Sequence, residues 1–195
     1  MSVIENRLFF ILAFSMAFVV TVSNYLVKFP VNYAGLQDLL TYGAFSYPIA
    51  FLITDLSNRR FGKKIAKKIV YLGFTLGVFL TFFFSTNYSE LISIRIALGS
   101  GIAFLVAQLI DVNIFDRLRK KNWFIAPLTS SLIGSIIDTF LFFSISFYGT
   151  GINWVTLSFG DLFVKIFVSL TMLIPFRFLL LYVKEVSREG NKISV

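Results

Sequence analysis

Apolar and polar residues fall in blocks along this chain rather than alternating position by position. Six long apolar runs, at 8–27, 39–56, 69–85, 91–112, 124–148 and 162–182, are separated by short polar or charged stretches. A helix rising 1.5 Å per residue needs about 20 apolar residues to cross the roughly 30 Å hydrocarbon core of a bilayer. The pattern therefore predicts an all-α, polytopic membrane protein. It is a single integral domain over 1–195, built as a bundle of six transmembrane helices. The first run exceeds a signal-peptide core and no small-residue cleavage site follows it, so it reads as a retained span.

Several runs carry helix breakers. Pro48, Gly99-Ser100-Gly101, Pro127 and Pro175 lie inside runs two, four, five and six, a distribution that fits discontinuous helices around a midplane site. Ala13 and Ala17 form a small-xxx-small pair. It reads first as intramolecular packing, with a docking face for a partner subunit as the alternative. The lysines of the stretch Lys63 to Lys68 share one helical face opposite Ile65 and Ile69, which predicts a short surface helix leading into run three.

The charges orient the bundle. Arg59, Arg60, Lys63, Lys64, Lys67 and Lys68 sit between runs two and three, and Arg117, Arg119, Lys120 and Lys121 between runs four and five. Arg7, Lys184, Arg188 and Lys192 lie at the termini, while only Lys28 stands clear of the spans on the other side. Positive loops stay inside, so both termini are expected in the cytoplasm. The same topology, with anionic lipid headgroups as neighbours, accounts for the net charge of +8 without nucleic acid.

Composition removes whole classes of chemistry. Hydrophobic residues make up 57% and charged residues 14%, against about 25% charged in a typical soluble domain. The chain has no cysteine and no histidine. Disulfides, thiolate chemistry and the commonest metal ligand are absent, so no metal, cofactor or enzymatic activity is expected. Any coupling to protons would have to use a carboxylate or a lysine.

Charges inside a bilayer cost about 2.5–3.5 kcal/mol each at a helix centre and by default mark function. The candidates are Asp55, Arg95, Asp111, Asp138 and Lys165. Asp138 is mid-span with Ser131 and Ser135 on its face, the pattern of a polar cavity wall; an ion pair with Arg95 or Lys165 is the structural alternative. Arg95 and Lys165 could instead snorkel to the interface. Asp55 and Asp111 lie near basic clusters, so each reads either as a ligand or as an ion pair with Arg59 or Arg117. Gln108 and Asp111, three residues apart, offer an amide and a carboxylate suited to the edge of a flat heterocycle. Tyr47 and Phe51, one turn apart, could stack on such a ring or simply pack. A faint internal echo relates Asp55-x-x-Asn58-Arg59-Arg60 to Asp111-x-Asn113-x-x-Asp116-Arg117.

With these residues in place, the chain resembles the queuosine-precursor transporter family, also called the vitamin uptake transporter family. The likeness covers about 23–184. It rests on Ser23-Asn24-Tyr25-Leu26-Val27, Tyr42-Gly43-Ala44-Phe45-Ser46-Tyr47-Pro48, Thr54-Asp55-Leu56 with Phe61-Gly62, and Gln108-Leu109-Ile110-Asp111-Val112. Phe115-Asp116-Arg117-Leu118-Arg119, Ala126-Pro127, Asp138-Thr139 and Asp161 with Lys165 complete it. Many relatives carry a glutamate where this chain has Arg59, so no role of that carboxylate carries over; the form lacking it resembles the proteobacterial subgroup.

The resemblance implies an inner-membrane importer of 7-deazapurine precursors of the tRNA base queuosine, such as 7-cyano-7-deazaguanine, 7-aminomethyl-7-deazaguanine or queuine. Asp138, Asp111 and Gln108 would then hydrogen-bond the guanine-like edge, with Ser135 on the same wall. Tyr47 or Phe51 would stack on the ring, and Arg95 and Lys165 would balance the carboxylates. The partners implied are this small molecule and the lipid bilayer, with a homo-oligomer left open. A substrate-capture subunit of an energy-coupling-factor vitamin importer is the alternative.

Overall fold

In the computed structural model, which describes residues 3–33, 35, 40–85 and 88–180, the apolar runs become six helices. They are α1 (Val3–Leu26), α2 (Gly43–Phe61), α3 (Lys63–Leu80), α4 (Leu91–Leu118), α5 (Ile125–Phe147) and α6 (Trp154–Leu180). A π-helical turn, Thr81–Ser85, prolongs α3. Position 39, the end of run six at 181–182, and the tail cations Lys184, Arg188 and Lys192 lie outside the described residues.

Helix α2 is the axis of the bundle. It packs against all five other helices, and 13 of its 19 residues are buried. The remaining five helices are long and apolar enough to cross a membrane, whereas α2 is not apolar enough. Its position explains why. A helix sheathed by protein needs no lipid-facing surface, so it can carry Thr54, Asp55, Ser57 and Asn58 in its second half, all buried. The outer helices show the complementary pattern. Phe159, Phe163, Phe167, Ile174 and Phe178 form an exposed stripe on α6, and Phe10, Phe14 and Phe18 one on α1.

Small residues set the close contacts. A Cβ added at Gly73 would lie 2.5 Å from Met16 Cγ, and one at Gly77 would lie 2.9 Å from Val20 Cβ. Ala13 and Ala17 are buried in this same α1–α3 seam. The alanine pair thus serves intramolecular packing.

Three expectations need correcting. The breakers do not interrupt the helices: α2 runs through Pro48, α4 through Gly99 to Gly101, α5 through Pro127 and α6 through Pro175. Pro127 falls in the first turn of α5, where a missing donor is tolerated, whereas Pro48 and Pro175 lie inside their helices. Gly99 instead allows close packing, since a Cβ there would overlap Ser146 Oγ of α5. There is also no separate surface helix between runs two and three. Gly62, at φ 77°, breaks the chain sharply after α2, and the lysines form the first turns of α3 itself. Finally, α6 begins at Trp154, eight residues before the apolar run, because Ser158 and Asp161 are buried on its inner face.

Candidate functional site

Two polar clusters lie in succession along the inner face of α2. The first is centred on Lys165 of α6, only 1% exposed. Its Nζ lies 2.7 Å from Asp161 Oδ2, one turn earlier on α6, and 2.9 Å from Asp138 Oδ2 on α5. It also donates to Thr139 Oγ1 at 3.1 Å, while that hydroxyl donates to Asp161 Oδ2 at 2.9 Å. The ammonium sits 5.1 Å from the centre of the Tyr47 ring, within cation–π range. An ammonium this deeply buried is tolerable because carboxylates, a hydroxyl and a ring face replace its water.

Tyr47 carries the network onward. Its hydroxyl meets Ser100 Oγ at 2.9 Å and donates to Asn24 Oδ1, which also accepts from Ser100. Asn24 Nδ2 donates to Thr81 Oγ1 at 2.9 Å. One connected set of buried groups therefore joins α1, α2, the π turn, α4, α5 and α6.

The second cluster lies towards the basic end. Asp55, 2% exposed, accepts from Ser130 Oγ at 3.2 Å and Ser131 Oγ at 3.3 Å. Asp111 of α4 is fully buried, on the stretch of α4 that the Thr54–Gln108 and Asn58–Val112 hydrogen bonds hold against α2. Neither Asp111 oxygen has a hydrogen-bond donor in bonding geometry. Gln108, one turn before Asp111, accepts from Thr54 through Oε1 but leaves Nε2 unpartnered. Asn58 donates to Val112 O at 2.9 Å and leaves Oδ1 unpartnered. Buried polar atoms without partners are rare, and here several gather where α2, α4 and α5 meet.

A narrow cavity adjoins this cluster. Asp55, Ser131 and Ser169 supply its polar lining, and Pro48, Pro127 and Phe176 part of its apolar walls. It holds about 10 Å³, the room of one water molecule, against roughly 300–1,000 Å³ for small-molecule pockets. This cavity is far too small to hold a flat heterocycle. Leu56, Phe115, Ala126 and Phe176 pack together as an apolar plug at the basic end.

The predicted residues divide clearly. Asp138 and Lys165 meet as the ion pair named above, and Lys165 does not snorkel. Asp55, Asp111 and Gln108 gather at the second cluster. Among the described residues neither Asp55 nor Asp111 is ion-paired with Arg59 or Arg117: Arg59 donates to Arg119 O at 2.7 Å instead. Phe51 lies between the clusters with its ring against Gly134, where a Cβ would come within 2.5 Å. Ser135 is buried beside them with its hydroxyl unpartnered. Arg95 is not part of either cluster. It donates to Ile145 O at 2.9 and 3.1 Å and to Tyr148 O at 2.8 Å, satisfying carbonyls at the end of α5.

Sequence reasoning missed Asn24, Thr54, Ser100, Ser130 and Thr139. An asparagine inside an apolar run was a signal for the first, and the i, i+4 spacing of Asp161 and Lys165 one for their ion pair. The serines and threonines offered none, because hydroxyls are common in membrane helices.

A sheath of apolar helices around a polar, charge-bearing central helix defines a multi-pass membrane protein. The chain belongs to the vitamin uptake transporter family: residues 41–180 match the family described as "Putative vitamin uptake transporter". A "Probable queuosine precursor transporter" of Haemophilus influenzae is 32% identical over 88% of this chain and 85% of its own length. The "Queuosine precursor transporter" of Escherichia coli is 32% identical over 80% of this chain and 79% of its own, and a Bacillus subtilis relative is 29% identical over 70% and 65%. These relatives are transporters, not enzymes. No solved structure matches the chain.

Proposed function

We propose that this protein imports a 7-deazapurine precursor of queuosine, such as 7-cyano-7-deazaguanine or 7-aminomethyl-7-deazaguanine, across the bacterial inner membrane. All six helices cross, with α2 as the sheathed sixth span, and the basic loops and both termini face the cytoplasm. The names of the relatives support the substrate class. The observation that carries the reading is the unpartnered set at the second cluster: Asp111 as acceptor, Gln108 Nε2 as donor and Ser135 beside them.

A guanine-like edge presents N–H donors beside a carbonyl acceptor. Asp111 accepts from its N–H groups and Gln108 Nε2 donates to its carbonyl, so binding supplies the partners these atoms lack. Phe51, with Tyr47 one turn away, provides the stacking face. Asp138 and Lys165 hold α5 and α6 together beneath it, and Asp55 backs Asp111 without touching the ring. Arg95 takes no part. Because the cavity holds about one water molecule, substrate enters only when α5 and α6 separate from α2. The Ala13/Ala17 pair packs against α3, so it does not itself argue for a capture subunit.

The test is a strain unable to make queuosine. Expression of this chain is expected to restore queuosine in tRNA when precursor is supplied in the medium; tRNA that stays unmodified sinks the assignment.

A further inference from the structure

The first cluster sets one ammonium between two carboxylates, whereas the second, among the described residues, holds two carboxylates with no ammonium between them. Asp55 and Asp111, 2% and 0% exposed, occupy the stretch of the α2–α4 seam bracketed by the Thr54–Gln108 and Asn58–Val112 hydrogen bonds. The groups facing the pair from neighbouring elements are accounted for elsewhere or uncharged. From α5 come the hydroxyls of Ser130 and Ser131, and Asp138, which is held by Lys165. From α6 come Ser169, and Lys165 with Asp161 in the other cluster. On α2 itself Arg59 reaches the Arg119 carbonyl, and Arg60 meets Glu5 of α1. Lys63, Lys64, Lys67 and Lys68 of α3 and Arg117 of α4 are not buried, and Arg177 of α6 lies over Trp123.

Two carboxylates held on one helix seam, out of water and with no cation between them, are poorly tolerated both ionised, so such a pair holds a proton in common. The proton belongs to the pair rather than to either residue. A second observation places a water-sized space beside it. Ser169 Oγ is buried without a partner and lines, with Asp55 and Ser131, the water-sized cavity at the basic end. A single water there has polar partners on α2, α5 and α6.

We infer that the Asp55–Asp111 pair is the proton-carrying site of the transport cycle, loading one proton with each substrate and releasing it through the Ser131–Ser169 cavity to the basic, cytoplasmic side. This rests on the transport reading above and assigns its energy source. The proton binds a carboxylate oxygen to give a carboxylic acid and leaves as it came; no other bond changes. Substrate on Asp111 and proton on the pair share one residue, so neither loads independently of the other.

The full chain in proteoliposomes tests this, with labelled 7-cyano-7-deazaguanine outside and the membrane potential clamped. If one proton enters per substrate, one pH unit directed inward supports up to about tenfold accumulation, and a sodium gradient supports none. Asp55→Asn loses that response, while exchange of labelled for unlabelled precursor, which needs no net proton movement, persists; Asp55→Glu regains the response. Wild-type protein that exchanges precursor but ignores the proton gradient, or that follows sodium, overturns the inference and leaves the transport reading standing. So does an Asp55→Asn protein with an undiminished gradient response.

Wild-type protein that handles no 7-deazapurine at all sinks the transport reading instead. The pair is then judged by infrared difference spectra between acid and alkaline buffer. A carboxylic acid carbonyl band that is present in wild type and missing from Asp55→Asn/Asp111→Asn supports the shared proton; no such band overturns it.

Discussion

Lys165 Nζ and Asp138 Oδ2 stand 2.9 Å apart across the α5–α6 interface, in a place neither charge could occupy alone. Removing one partner of such a pair strands the other, at a cost of about 3–5 kcal/mol. Lys165→Met is therefore expected to lower the thermal unfolding midpoint of the detergent-purified protein sharply, since it strands both Asp138 and Asp161. Adding Asp138→Asn should recover part of the loss. A double variant no more stable than Lys165→Met would show that the pair is not what holds α5 to α6.

Substrate affinity should respond to the second cluster and far less to stability. A hydrogen bond to a charged group contributes about 1.5–3 kcal/mol. Asp111→Asn is accordingly expected to raise the Kd for 7-cyano-7-deazaguanine by about tenfold to a hundredfold, measured by equilibrium binding. Gln108→Leu, which removes a neutral donor, should cost about tenfold or less. Unchanged binding in both variants would move the substrate elsewhere.

Arg95 gives the opposite split. Its guanidinium holds the Ile145 and Tyr148 carbonyls, and truncation leaves acceptors at the end of α5 without that donor. Arg95→Ala should destabilise the protein by about 1–3 kcal/mol and leave the precursor Kd unaltered. A specific loss of binding with stability intact would restore Arg95 to the site.

These contrasts show what was legible in the sequence. Block patterning located the helices, because lipid exposure demands apolar residues on every outward position. It was least informative for α2, whose surroundings are protein, and for the start of α6, where Ser158 and Asp161 look like loop but face inward. The charged candidates were visible because ionised groups are rare in such runs. Their partners were not. Spacing along one helix cannot show that Lys165 of α6 reaches Asp138 of α5, or that Asp55 and Asp111, the two halves of a faint repeat, occupy one seam between helices. Arg95 shared the signal of Lys165 and turned out to cap a helix end.

Topology can be read directly, because the chain has no cysteine to remove. Single cysteines at Lys120 and Asn153, both exposed, should label from opposite sides of the membrane with an impermeant maleimide. Lys120→Cys should react only from the cytoplasm and Asn153→Cys only from outside. Labelling from one shared side would mean that α5 does not cross.

The last prediction concerns space. Gly134 faces the Phe51 ring so closely that a Cβ would lie 2.5 Å from Cε1, while the nearest atom to a Cβ at Gly101 is Val78 Cγ2 at 3.4 Å. Both glycines are in helix interiors, where alanine by itself is worth up to about 1 kcal/mol. Gly101→Ala should therefore be neutral or mildly stabilising. Gly134→Ala must push Phe51 off its rotamer or α5 away from α2, an overpacking cost of about 1–3 kcal/mol. Since Phe51 lies between the two polar clusters, the same substitution should slow precursor exchange in proteoliposomes even at temperatures where the protein remains folded. Phe51→Leu gives room to the added methyl and is expected to recover stability in the Gly134→Ala background without restoring affinity, because leucine fills the gap but presents no ring to the substrate. Recovery of both would reduce Phe51 to a packing residue.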